Sequence, residues 1–241
     1  MIIPAYNEAK NIVDTVSAVR NYAKRYSKCE LDYIVINDGS TDNTKEVCEK
    51  NNIKCIHLIQ NLGIGRAVQT GYIYATRMDY DIAVQFDGDG QHDIDSLEDL
   101  LQPILDKEVD FVGGSRFIDK SSEFQSTGLR RIGINFFASL ISMIIGVKIT
   151  DPTSGFRASN KEVIRLFAQS YPVDYPEPEA LVDLHKNGFK IKEVQVNMFE
   201  RTEGVSSINM YKSIYYMIKV TIAILCASLQ KKWYRRDVEC Q

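Results

Sequence analysis

The sequence predicts an α/β fold, a mostly parallel central sheet covered by helices on both faces. Two observations predict it. Short apolar runs alternate with segments of helical period through the first half of the chain, and three of those runs end directly in polar, turn-forming residues. Such alternation requires crossover connections, which lay helices over both faces of a parallel sheet. Ligands then bind outside the carboxyl ends of the strands. The 241 residues are enough for one large domain with an ample core.

Strands are expected at Met1 to Pro4, Leu31 to Asn37, Ile53 to Ile59, Ile82 to Phe86 and Val109 to Gly113. Ile12, Val16 and Val19 recur at helical spacing after the first strand. Thr44 to Lys50 forms the next helix, capped by Thr41 or Asp42, and Gly63-Ile64-Gly65 opens a helix over Arg66 to Arg77. After Ser115 the pattern changes. A polar loop containing Gly128 leads through Arg130-Arg131 into an apolar stretch from Ile132 to Val147. A turn rich in glycine, proline and serine covers Asp151 to Ser159, YPEPE starts a helix with Pro178 near its first position, and Phe189 to Phe199 reads as a strand. A helical tail begins at Ile208. No repeat or low-complexity linker interrupts the chain, so one continuous domain over 1–207 with a C-terminal appendage over 208–241 is expected.

A formal net charge of −3 excludes bulk nucleic-acid binding, and any basic patch must be local. Cys29, Cys48, Cys55, Cys226 and Cys240 form no C-x-x-C pair, the pattern of reduced thiols used as small apolar residues, without a zinc signature. Met1 runs straight into Ile2-Ile3-Pro4 with no basic n-region or cleavage site, which predicts a protein that stays on the cytoplasmic side.

The chemistry concentrates in QFDGDGQHD, 85–93. Carboxylates at i and i+2 on a turn, here Asp87 and Asp89, converge on one hard divalent cation and leave positions for substrate phosphates. A solvated Asp-Gly turn is the plain alternative. An EF-hand is excluded: Asp87, Asp89 and Glu98 fall at its first, third and twelfth positions, but His92 takes the place of the required glycine and a strand precedes the loop. A dinucleotide fingerprint on Gly63 and Gly65 lacks its third glycine, with Val68 there instead. Pro4-Ala5-Tyr6-Asn7-Glu8 and Asn37-Asp38-Gly39-Ser40 also follow strands, so all three loops are expected to line one crevice. Asp38 either accepts from a base or ribose or serves its own turn. Glu8 either faces a ligand or is a favourable charge near a helix start.

Taken together, IIPAYNE (2–8), VINDGSTDNT (35–44), NLGIGRAVQTG (61–71), QFDGDGQH (85–92), GGSRF (113–117) and DPTSGFRA (151–158) resemble glycosyltransferase family 2, inverting nucleotide-sugar transferases with a GT-A fold. The likeness reaches to about Ser207 and is strongest to the branch of dolichyl-phosphate mannose synthases and polyprenyl-phosphate sugar transferases. It implies that Pro4, Ala5, Tyr6, Glu8 and Asp38 hold the nucleoside, with Gly65, Gly88 and Arg201 completing the donor site. It implies that Asp87, Asp89 and Gln91 surround Mg2+ or Mn2+ and the diphosphate. Arg116 and Arg131, with Arg130 beside it, approach an acceptor phosphate; Asn135 stands where that branch can carry serine. In the loop of Arg201, Ser206 is retained and Ser207 stands where lysine is expected.

The implied donor is a UDP-sugar such as UDP-GlcNAc or UDP-glucose, with a GDP-sugar as rival, and the implied acceptor is a polyprenyl phosphate. A phosphate monoester is mostly dianionic at neutral pH and needs positioning, which suits arginine forks. A glycan hydroxyl, the alternative acceptor, needs a base, and Glu177, Glu179 or Asp183 is the candidate, Glu179 first; the competing reading is a proline-started helix with favourable acids. His92 and His185 read as turn or surface histidines. From another class, a non-catalytic scaffold that binds sugar nucleotides is the alternative, against which the acidic turn and the arginines speak.

Ile132 to Val147 is shorter than the roughly 18–20 residues of a membrane span and contains Asn135, Ser139 and Ser142. Ser213 to Leu229 is of marginal length and contains Lys219, with Lys212 before it and Lys231-Lys232-Trp233-Tyr234-Arg235-Arg236 after it. Basic residues favour an anionic leaflet, and Trp and Tyr favour its headgroup zone. The expectation is an amphipathic helix lying in the membrane interface, or packed on another subunit, with peripheral attachment to the cytoplasmic face. No spanning segment follows, so a small membrane protein or a second copy of the chain is the expected partner.

Overall fold

The computed structural model describes residues 1–119, 128–199, 210–232 and 234, the side chains of 128–130 and 210–214 excepted. Its strands are β1 (Ile2–Ala5), β2 (Ile34–Asn37), β3 (Cys55–His57), β4 (Ile82–Gln85), β5 (Phe111–Ser115), β6 (Arg157–Asn160) and β7 (Ile191–Gln195). Its helices are α1 (Ile12–Arg25), α2 (Thr44–Lys50), α3 (Ile64–Arg77), α4 (Leu97–Leu105), α5 (Gly128–Ile145), α6 (Lys161–Gln169), α7 (Pro176–Lys186) and α8 (Met210–Leu229). The strands form one sheet in the order β3-β2-β1-β4-β6-β5-β7, parallel except for β6, which runs antiparallel to both neighbours.

Continuous apolar runs suit strands buried on both faces. Side chains alternate across the sheet, so Ile2, Ile36 and Ala83 enter one core with residues of α3, α6 and α7. Ile3, Val35 and Val84 enter the opposite core with α1 and α4. The strand order reverses between β1 and β4, which makes the crevice beyond their carboxyl ends the switch point of the sheet.

Three expectations are corrected. The turn expected over Asp151 to Ser159 contains most of β6, a strand in the middle of the sheet. The helix of YPEPE begins at Pro176, two residues before Pro178. The C-terminal helix is no appendage: Val220, Ile224 and Ala227 belong to the same core cluster as Leu181 and Phe189. Nor is its outer face polar, since Ile218, Ile222, Leu225 and Leu229 are exposed there beside Lys219.

Candidate functional site

The loops after β1 and β2 are tied to each other before any ligand arrives. Asn7 adopts φ 57°, and its Oδ1 accepts from the backbone N–H of Thr41 at 2.8 Å and of Asp42 at 3.3 Å. Its own N–H donates to Ser40 Oγ at 2.9 Å. Gly39 sits at φ +62°, where an added Cβ would stand 2.3 Å from the Gln60 carbonyl carbon, so only glycine fits. This close approach lets Asp38 accept from the N–H of Leu62 at 2.8 Å and of Gly63 at 2.9 Å. Asp38 thus staples the loop that enters α3.

A cavity of about 280 Å3 opens at the switch point. Pro4, Ala5, Tyr6, Glu8, Asp38, Asp87, Gly88 and Asp89, eight of the donor residues expected there, line it. Tyr6 is 45% exposed, available for stacking. Glu8 also accepts from Asn11 Nδ2 at 2.8 Å, just ahead of α1. Gly65 lies beside this lining, and a Cβ on it would meet the Pro172 carbonyl oxygen at 2.4 Å, so it serves the packing of α3 on the loop before α7. Gly63, Ile64 and Ala67 line the cavity.

The acidic turn follows β4. Asp87 accepts from Gln85 Nε2 and from His92 Nε2, each at 3.2 Å. Burial works to raise the Asp87 carboxyl, but the His92 contact, the Gln85 hydrogen bond and the Arg157 charge outweigh it and hold its pKa below the usual value. Asp89 Oδ1 accepts from the Gln91 N–H at 3.1 Å. The Gln91 side chain, expected beside the metal, is outside the lining and donates to the Phe199 carbonyl at 3.4 Å. Among the described residues no cluster of three or more His, Cys, Asp or Glu side chains forms a closed cage. Two carboxylates on one cavity wall fit a hard cation whose remaining ligands are phosphate oxygens and water.

Of the residues expected at an acceptor phosphate, Arg116 and Arg131 both lie against the Phe117 ring, their Cζ atoms 5.1 and 3.5 Å from its centroid. Arg116 is buried in a fork with Asp151, Nε to Oδ2 at 2.6 Å and Nη2 to Oδ1 at 2.8 Å. Arg131 lies over the Phe117 ring, its Cζ 3.5 Å from the centroid, and its buried Nη1 has no hydrogen-bond partner among the described residues. Asn135 is exposed on α5. The Arg130 side chain and Arg201, Ser206 and Ser207 lie outside the described residues.

On α7 the carboxyls of Glu177 and Glu179 are raised by different neighbours. Burial raises the Glu177 carboxyl, Arg157 opposes and the Asp87 charge adds to the rise. Glu179 is pushed to about 7 by burial and then by Asp183 and Asp174, with no crevice group among its causes. Burial likewise lifts Asp183 to about 6, against Lys186. Arg157, to which the sequence reading assigned no role, is buried on β6 and donates to the carbonyls of Ser154, Pro152 and Glu177 at 2.6, 3.1 and 2.8 Å. Its only signal was its place in the GFRA motif.

A switch-point crevice with a paired acidic turn, on a sheet carrying one reversed strand, defines a nucleotide-binding α/β protein of the GT-A type. Residues 1–167 match the model of glycosyl transferase family 2, and the chain belongs to that family. The UDP-N-acetylglucosamine–dolichyl-phosphate N-acetylglucosaminyltransferase of Methanococcus voltae is 31% identical, over 90% of this chain and 94% of that one. The polyprenol monophosphomannose synthase of Mycolicibacterium smegmatis is 29% identical, over 87% and 80%. Among solved structures, glucosyl-3-phosphoglycerate synthase from Mycobacterium tuberculosis, in complex with Mn2+, UDP and phosphoglyceric acid, superposes with TM-score 0.70 at 19% identity, over 95% of this chain and 77% of that one. That likeness bears out the GT-A fold.

Proposed function

We propose that this chain transfers a sugar, with inversion, from a nucleoside diphosphate sugar to a polyprenyl phosphate at a membrane surface. One observation carries the reading: Tyr6, Asp87 and Asp89 converge in one crevice of a family 2 chain that aligns along most of its length with transferases named for dolichyl and polyprenol phosphates. The Methanococcus relative and the UDP complex favour a UDP-sugar over a GDP-sugar.

In this reading Tyr6 stacks on the base and Asp38 keeps the α3 entry loop in position beside it. Asp87 and Asp89 hold Mg2+ or Mn2+, which when bound offsets charge on the departing diphosphate. The acceptor phosphate is already mostly dianionic at neutral pH, so the chain has to position it. The Arg131 Nη1, without a hydrogen-bond partner among the described residues, supports that role, as does Arg116, held by Asp151 against the same Phe117 ring. Exposed Ile132, Phe136 and Met143 on α5 and Ile218, Ile222 and Leu229 on α8 support a seat on the cytoplasmic face of a membrane. No helix of the described residues is long and apolar enough to cross one.

The test supplies purified protein with radiolabelled UDP-GlcNAc, UDP-glucose or GDP-mannose, Mn2+ and undecaprenyl phosphate. Label is expected in an organic-extractable lipid phosphate, and its failure to appear there with every donor overturns the reading. The raised carboxyl of Glu177, to which the Asp87 charge contributes, favours a second reading, a glycan hydroxyl acceptor with Glu177 as base. Label confined to a water-soluble glycan, and lost in Glu177→Gln, would select it.

A further inference from the structure

We propose that Gln85, His92 and Gly155 form a three-sided seat that fixes the Asp87 carboxylate, and that Gln85 and His92 are positioning residues for the cation-binding turn. The proposal rests on the donor reading above.

Each Asp87 oxygen has its own donor: Oδ1 takes Gln85 Nε2 and Oδ2 takes His92 Nε2, both at 3.2 Å. The third side is backbone. A Cβ at position 155 would stand 2.2 Å from Asp87 Oδ2, far inside contact distance, so glycine is what allows the carboxylate to lie where both donors reach it.

The donors are themselves held. Gln85 ends β4 fully buried, and its Oε1 accepts from the Tyr171 hydroxyl at 3.5 Å, which turns the amide NH2 toward Asp87. The His92 side chain is 1% exposed, with ring centroids of Phe86 and Phe156 at 5.5 and 5.1 Å. Its main chain bridges to Met198. Nδ1 has no partner among the described residues. A buried N–H without an acceptor is the more unfavourable alternative, so the pattern assigns the hydrogen to Nε2, where it is donated to Asp87.

A carboxylate offers about four lone-pair directions, and here two are occupied by protein. What remains faces the cavity through a side chain one-third exposed, 33%. The turn therefore meets a cation without first ordering Asp87, the service that outer partners give a metal ligand. Its burial between two phenylalanines sets His92 apart from an ordinary turn histidine.

The test measures Mn2+ affinity in the presence of UDP by electron paramagnetic resonance, with thermal unfolding of each apo variant. His92→Phe keeps the aromatic packing and removes the donor; Gly155→Ala pushes on the carboxylate from the other side. Each is expected to weaken Mn2+ binding by about 10- to 100-fold while unfolding near the wild-type temperature, and His92→Gln, which restores an amide donor, is expected to recover part of the loss. If His92→Phe fails to fold, Gly155→Ala reads the same displacement. Wild-type Mn2+ affinity in both overturns the seat alone. Failure of the wild type to bind Mn2+ with either UDP or GDP overturns the donor reading and the seat with it.

Discussion

The crevice has two sides built by different rules. On the side of β1, β2 and β4, every functional residue sits within a few positions of a strand end, and the loops brace one another through Asn7, Gly39 and Asp38. On the side of β5, β6 and α7, the charged groups are held by β6 and the turn before it: Arg116 by Asp151, and Arg157 by the carbonyls of Pro152, Ser154 and Glu177. In the proposed reading the first arrangement is preformed for one ligand type, a nucleoside diphosphate. The second is assembled from contacts that can change independently, which is where a family sharing one donor site can vary its acceptor.

Substitutions on each side sharpen the contrast. The largest effect is expected from Asp89→Ala, a fall in transfer of about a thousandfold or more, read as initial rate at saturating Mn2+; wild-type activity with a strong chelator should fall likewise. Arg131→Ala is expected next, at about a hundredfold. Its loss should appear at the acceptor phosphate while UDP binding by calorimetry stays as in the wild type, and a loss of UDP affinity would erase the division between the two sides.

Gly39→Ala tests the bracing of the donor loops. The positive φ and the approach to Gln60 lead us to expect a loss of about 2 kcal/mol or more in denaturant unfolding. Ile222→Lys on the outer face of α8 is expected to weaken binding to anionic vesicles several-fold, by about 1 kcal/mol or more, while transfer to a short-chain acceptor in detergent stays unchanged.

The smallest effect concerns Glu179. Its carboxyl rises from 4.5 to about 7 in the folded chain, so its contribution favours folding below its unfolded pKa and is lost as the pH climbs through 7. Between about pH 5 and 8, Glu179→Gln should become the more stable form by about 1 kcal/mol, after allowance for its partial exposure. Equal pH profiles of unfolding would remove the acid from the account of α7.

Legibility in the sequence followed the same division. β1, β2 and β4 announce themselves because apolar runs end in Pro4, Asp38 and Asp87, and the resulting loops do share a crevice. β6 was hidden because Arg157-Ala-Ser-Asn160 contains no β-branched or aromatic residue; its burial comes from β4 and β5 on either side. The packing constraint on Gly65 was hidden because the Pro172 carbonyl lies more than a hundred residues away. Glu177 and Glu179 could not be told apart by spacing alone, since the residue that separates them is Arg157.

The reversed strand also sets an order for biosynthesis. β4 is complete once Gln85 has been added, yet its outer neighbour comes only with Arg157–Asn160. Throughout that interval a growing chain carries an open sheet edge beside its acidic turn. Unpaired edges invite pairing with other chains, and distant pairings form slowly. A ribosome paused between these two strands is where this protein would most need a chaperone.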